Sequence, residues 1–229
     1  MTVKVALLGL SLGLIAGCRS IPPPDPNDPA EVGLVQPDVL MRNLKWASDA
    51  ANARVETGEI TRADAKEIVS QYARDLTAHI SMARVREGRA WEYAEVFRAA
   101  RQWDKAREAF EIAIRHPQNE NRRVNDNLRL AHVYANLGML PEAIARARSV
   151  FDAEPKERAP IIPALILEIV PAGRGKGHDP ELAKLLEEAM PLWNDTVVDE
   201  SSQSGRDFMI AKPFHIRRTI DLIRQLSAK

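Results

Sequence analysis

The stretch Leu130-Ala131-His132-Val133-Tyr134-Ala135-Asn136-Leu137-Gly138-Met139-Leu140-Pro141-Glu142-Ala143 decides the fold. A large residue, Leu130, stands before a small one, Ala131; an aromatic follows at Tyr134, a glycine interrupts at Gly138, and a second small residue arrives at Ala143. Sliding the chain over itself by 37 residues lays Tyr93-Ala94, Phe97, Ala106 and Phe110 over Leu130-Ala131, Tyr134, Ala143 and Ala147. Such an alternation suits paired helices: the small side chains let two backbones approach, and the large ones fill the groove beside them. Composition agrees, because Ala, Leu, Glu and Arg are abundant and aromatics are only 5%, which favours helix over sheet.

These residues resemble the tetratricopeptide pattern, whose unit is two antiparallel helices with a period of about 34 residues. In the second segment Leu130, Ala131, Tyr134, Gly138, Ala143 and the terminating Pro155 fall in register. The first departs twice: Arg101 stands where the turn glycine belongs, and Pro117 comes one residue early. The extra residues Gln118 to Arg123 account for the longer offset. The resemblance covers Gly88 to Pro155 and implies an all-α array of antiparallel helical hairpins, closed by a C-terminal capping helix.

Working outward, a degenerate third hairpin is expected over 156–193. Ile161 to Val170 is nearly all apolar and too short to span a bilayer; Pro171 to His178 reads as a turn, and Asp179 starts a helix bearing Leu182, Leu185, Leu186, Ala189 and Met190. Within 194–229, Asn194 to Arg206 reads as a polar loop, and a final helix begins at Pro213, because proline is costly inside a helix. Upstream, over 38–87, Leu40, Leu44, Ala47, Ala51 and Val55 recur at helical spacing from Pro37 onward. Thr57-Gly58-Glu59 breaks that helix. Thr61 and Asp64 then cap a second helix with an apolar face of Ala65, Ile68, Val69, Tyr72, Leu76, Ile80 and Ala83; Gly88 marks a boundary.

At the N-terminus, Lys4 precedes an apolar run from Val5 to Ile15, too short for a membrane span and suited to a signal sequence. Ile15-Ala16-Gly17-Cys18 resembles a bacterial lipoprotein signal at every position, and Cys18 is the only cysteine. The resemblance implies removal of residues 1–17 and acylation (palmitate) of Cys18. Residues 18–37 carry five prolines between Pro22 and Pro29 and read either as a semi-rigid tether or as plain disorder. Arg19 is not the aspartate associated with inner-membrane retention, which points to the outer membrane, facing the periplasm.

Thirty-two basic and thirty-two acidic residues balance, so the basic bias of nucleic-acid binders is missing. With Cys18 lipidated no disulfide can form, and no cofactor is expected. His79, His116, His132, His178 and His215 have no metal-ligand spacing, so no metal is expected. Gly173-Arg174-Gly175-Lys176-Gly177 lacks the preceding strand of a phosphate loop, and the Ser-rich run at Ser202 lacks the glycine of a nucleophile elbow. No catalytic residue is assigned.

The repeat resemblance implies a groove lined by the first helix of each unit, where Glu92, Glu95, Arg98, Asn127 and Arg129 are candidates for contact with a partner protein or peptide; their alternative role is to keep the surface solvated. Arg206, Lys212, Arg217, Arg218, Arg224 and Lys229 against Asp207 and Asp221 give a local excess of +4, suited to anionic lipid, to an acidic partner or simply to solvent. Anchored repeat proteins of this kind assist outer-membrane protein assembly, secretin assembly or control of wall hydrolases. The expected function is a membrane-anchored scaffold or assembly factor of the cell envelope. Its rival is an envelope enzyme acting on wall or lipid, with a site built from Asp199, Glu200 and Ser202.

Overall fold

The computed structural model describes residues 36–78 and 80–228. The expected signal, Cys18, all five prolines from Pro22 to Pro29, His79 and Lys229 lie outside the described residues. Among the described residues every regular element is helical.

Helix α1 (Pro37–Glu56) opens with a proline in its first turn, where the missing N–H costs nothing, and ends where Gly58 takes φ +73°. Helix α2 (Arg62–Thr77) starts on the expected capping box: Thr61 Oγ1 accepts from the Asp64 N–H at 3.1 Å, and Asp64 accepts from the Thr61 N–H at 3.0 Å. It stops earlier than its apolar pattern suggests. Thr77 Oγ1 donates back to the Ala73 carbonyl, a competing bond that weakens a helix, and the chain continues through short 3-10 turns at Met82–Arg84 and Glu87–Arg89. Ile80 is still buried, but Ile68 is 40% exposed, because the packed stripe runs along Ala65, Ala73 and Leu76. α1 packs on α2, and both pack on α3.

Helices α3 (Ala90–Ala99), α4 (Trp103–Ala113), α5 (Glu120–Leu137) and α6 (Leu140–Arg148) follow. Ala94, Phe97, Ala106 and Phe110, and their counterparts Ala131, Tyr134, Ala143 and Ala147, are all buried. The connecting turns match atom for atom at the same 37-residue offset. Gln102 sits at φ −83°, ψ 71° and Met139 at φ −84°, ψ 66°. The Gln102 N–H donates to the Phe97 carbonyl and the Met139 N–H to the Tyr134 carbonyl, both at 2.9 Å. Arg101 takes φ +57° where Gly138 takes φ +79°. The residue missing from the glycine position therefore adopts the glycine conformation.

The C-terminal part departs from expectation in two places. Ile161 to Gly173 is one continuous helical stretch: α7 (Ile161–Ala164), a π-helical segment Leu165–Ile169 and α8 (Val170–Gly173). Pro171 lies inside it rather than in the turn. A proline lacks the N–H that the α pattern needs, and the wider π turn, with the Val170 N–H on the Leu165 carbonyl, accommodates the change. After α9 (Asp179–Ala189) and the short α10 (Leu192–Asp195), helix α11 runs Gln203–Ser227 with Pro213 in its interior. It does not begin at Pro213 because Ser202 caps it earlier: Ser202 Oγ accepts from the Gly205 N–H at 3.0 Å. Any side chain at Gly205 would collide with the Asp199 backbone carbonyl, 2.0 Å from an ideal Cβ. Buried residues from α1 to α11 form one continuous core.

Candidate functional site

A cleft of about 780 Å³ opens where α1, α2, the α3–α4 turn, α5 and the π segment come together. Asn52 and Val69 line one side, Trp103 and His132 the other, and Leu167 and Glu168 close the end. The last two sit in the π segment. π turns displace side chains from the regular helical track, and here Leu167 stays 57% exposed beside a buried run.

The floor is an ion-paired cluster. Arg129 Nη1 donates to both oxygens of Glu168 at 2.6 Å, and its Nε lies 3.3 Å from Glu95. Arg98 Nε donates to Glu95 Oε2 at 2.9 Å, and its Nη1 lies 3.7 Å from Glu168. Two carboxylates and two guanidiniums thus alternate and cancel. Burial works against both acids, yet Arg98 and Arg129 hold Glu95 and Glu168 below the ordinary carboxylate range. Burial likewise opposes charge on Arg129, and Glu95 and Glu168 reverse that, raising its pKa.

His132 completes the cluster. Arg98 Nη1 lies 3.4 Å from His132 Nδ1; a guanidinium can only donate, so this nitrogen is the bare acceptor of a neutral ring. Burial, reinforced by Arg98 and Arg129 against the attraction of Glu168, pushes the imidazole down to about 4. Trp103 stacks edge-on against it, centroids 5.7 Å apart. Nearly two turns back along α5, Asp126 is buried beside Arg122, and burial pushes its carboxyl up to about 6 despite that partner. Arg122 in turn lies over the Trp91 ring at 3.8 Å.

At the mouth the balance ends. Arg62 and Lys66 line the cleft and make no ion pair among the described residues, and Glu56 beside them is likewise without one, whereas Arg101 is held by Glu67 at 3.0 Å, so the free charges at the rim are two cations and one acid. The site presents a rim with a net excess of one positive charge, a short apolar wall and a charge-balanced cluster beneath it.

Of the residues singled out from sequence, Glu95, Arg98 and Arg129 come together in this cluster, and of the three only Arg98 lines the cleft itself. Glu92 and Asn127 do not: Glu92 is buried against Arg89, and Asn127 donates to the Arg123 carbonyl at 2.8 Å and accepts from Arg146. Sequence reasoning missed His132 and Glu168. Glu168 left a signal, being the sole charge in the apolar run Ile161 to Val170, where a buried carboxylate needs a cation. Asp199 and Ser202 are spent on shaping a turn: Asp199 Oδ1 accepts from Ser201, and Ser202 Oγ donates to the Asp199 carbonyl while capping α11. In the glycine loop, Lys176 Nζ donates to the Ala135 carbonyl and the Gly175 N–H to Asp179. No group of metal-ligating side chains occurs among the described residues.

No protein-family model, curated protein or solved structure matches the chain.

Proposed function

We propose that the chain is a tetratricopeptide-like, membrane-anchored scaffold or assembly factor of the bacterial envelope, acylated on Cys18 and holding a partner protein or peptide in the cleft above Arg98, Arg129 and Glu168. The observation that carries this reading is the cleft itself. Its lining comes from both helices of the first hairpin, α1 and α2, from the α3–α4 turn, from α5 and from the π segment, a groove between stacked hairpins of the kind in which helical arrays receive extended peptides. The turns that repeat at a 37-residue offset support the array. The pre-paired floor supports binding: groups already fixed in place lose little freedom when a ligand arrives. Arg62 and Lys66 at the rim favour a partner segment bearing carboxylates, and exposed Leu167 gives it an apolar contact. The anchor keeps this groove at the outer membrane, facing the periplasm.

Two measurements test the proposal. Cys18→Ala is expected to abolish palmitate incorporation. Affinity purification of the anchored protein is expected to recover a reproducible envelope partner that is lost in Arg62→Glu/Lys66→Glu. Recovery unaffected by that double reversal would remove the cleft from the interaction.

A further inference from the structure

Helix α11 carries a second surface, remote from the cleft residues in sequence. Its inner side is anchored by buried Thr219, Leu222 and Leu226. At 100° per residue, Arg206, Ile210, Phe214, Arg217 and Arg224 share the opposite side. Ile210 is 78% exposed and Phe214 58%, with Met209 and Pro213 beside them also exposed. Arg217 and Arg218 are exposed and make no ion pair among the described residues; Arg206 is occupied only by the Ser201 carbonyl and Gln203. The two acids of this helix, Asp207 and Asp221, fall on the same side, but Asp207 accepts from Gln203 and Asp221 lies 3.9 Å from Arg224, and the four arginines outnumber them.

We propose that this face of α11 lies on an anionic phospholipid surface. Exposed isoleucine and phenylalanine at i and i+4, bracketed by unpaired arginines before and after, form the two-part signature of a helix that rests in the headgroup plane: apolar side chains enter the acyl boundary while guanidiniums meet phosphates. A protein partner of ordinary polarity would not call for arginines on both flanks of the apolar pair, whereas an anionic leaflet complements both parts at once. The helix rests on the bilayer and does not cross it, since no helix among the described residues is long and apolar enough to span one. Lys212 takes no part: its ammonium points inward to the Trp193 carbonyl at 2.7 Å. The consequence for the molecule is orientation. A bilayer contact at α11, independent of any anchor, would hold the array in one pose relative to the membrane.

The test uses the full chain with Cys18→Ser, so that a single introduced cysteine carries an environment-sensitive probe, at position 210 or, as a control, at exposed position 108 on α4. Phosphatidylcholine vesicles are compared with vesicles containing phosphatidylglycerol. The expected result is a several-fold loss of access to an aqueous quencher at 210 on the anionic vesicles only, with position 108 unchanged. Each arginine near an anionic surface changes affinity about five-fold, so Arg217→Glu/Arg218→Glu should weaken the protection at 210 about twenty-five-fold or more. The apolar signal segment can attach the chain to lipid by itself, but it cannot shield position 210 selectively. Three outcomes would overturn the proposal: equal access at 210 and 108, protection at 210 that is the same on neutral vesicles, or protection that grows with protein concentration in the absence of lipid, which would assign the face to a second copy of the chain.

Discussion

Helices α3 to α6 and helices α7 to α11 solve the same problem, covering an apolar face with another helix, under different local constraints. In the first region both turns pass through the left-handed conformation although one carries glycine and the other arginine, and the residues that follow, Gln102 and Met139, agree within a few degrees. Tight burial of Ala94, Ala106, Ala131 and Ala143 fixes how the helices meet, and the turn residue conforms. In the second region two prolines, Pro171 and Pro213, lie within helices. There burial keeps the helix going and the backbone deforms, into a π segment at Leu165–Ile169. Packing overrides local preference in both places, but only in the second does the override change where the elements lie. It also shapes the cleft, since the π segment delivers Leu167 and Glu168 to its lining.

The comparison is most easily broken in its first half. Ala143→Leu puts three extra carbons into a closed seam and is expected to cost about 3 kcal/mol, read as a lower denaturant midpoint; tolerance of leucine would show that α5 and α6 are not closely packed. In the second half, Pro213→Ala restores a helical N–H and is expected to stabilise the protein by about 2 kcal/mol. An unchanged melting temperature would mean that the helix effectively starts at Pro213.

The cleft floor gives a pH test. His132 is depressed to about 4 from an unfolded value near 6.5. Between those values the unfolded chain binds the extra proton, so stability falls as pH falls; from pH 7 to 5 the loss is about 2 kcal/mol. Asp126, raised to about 6, has the opposite sign and gains stability as pH falls below 6. The two nearly offset each other from pH 7 to 5, so His132→Gln should leave the Asp126 gain uncompensated and make the variant more stable, by about 1 kcal/mol, as pH falls over this range. If the pH profile is unaltered, His132 is not held neutral by burial and the two arginines.

The smallest effects sharpen the repeat itself. Gly138→Ala forces a side chain into φ +79° and should cost about 1 kcal/mol. Arg101→Gly relieves the equivalent strain but frees the unfolded chain and gives up only an exposed ion pair with Glu67, so its net change should be a few tenths of a kcal/mol. Equal losses at the two positions would mean that the turns are not equivalent.

Much of the helical framework was legible because alternating large and small residues state how helices meet. The Thr61 capping box and the break at Gly58 were readable for the same reason: their chemistry is local. The ends of α2 and α11 and the interior position of Pro171 were not, since each depends on burial supplied by distant residues. The site divides similarly. Glu95, Arg98 and Arg129 could be placed on first helices, but whether an arginine there faces a partner or a buried glutamate depends on Glu168, about forty residues further on. Glu92 and Asn127 show the cost of that ignorance, since their polar groups are satisfied inside the chain.

The most direct measurement is site-specific photo-crosslinking in cells from position 167, with position 108 as the control. A discrete product from 167, absent from 108 and abolished by Arg62→Glu/Lys66→Glu, is the expected result. No product from 167, or the same products from both positions, would contradict a partner held in the cleft.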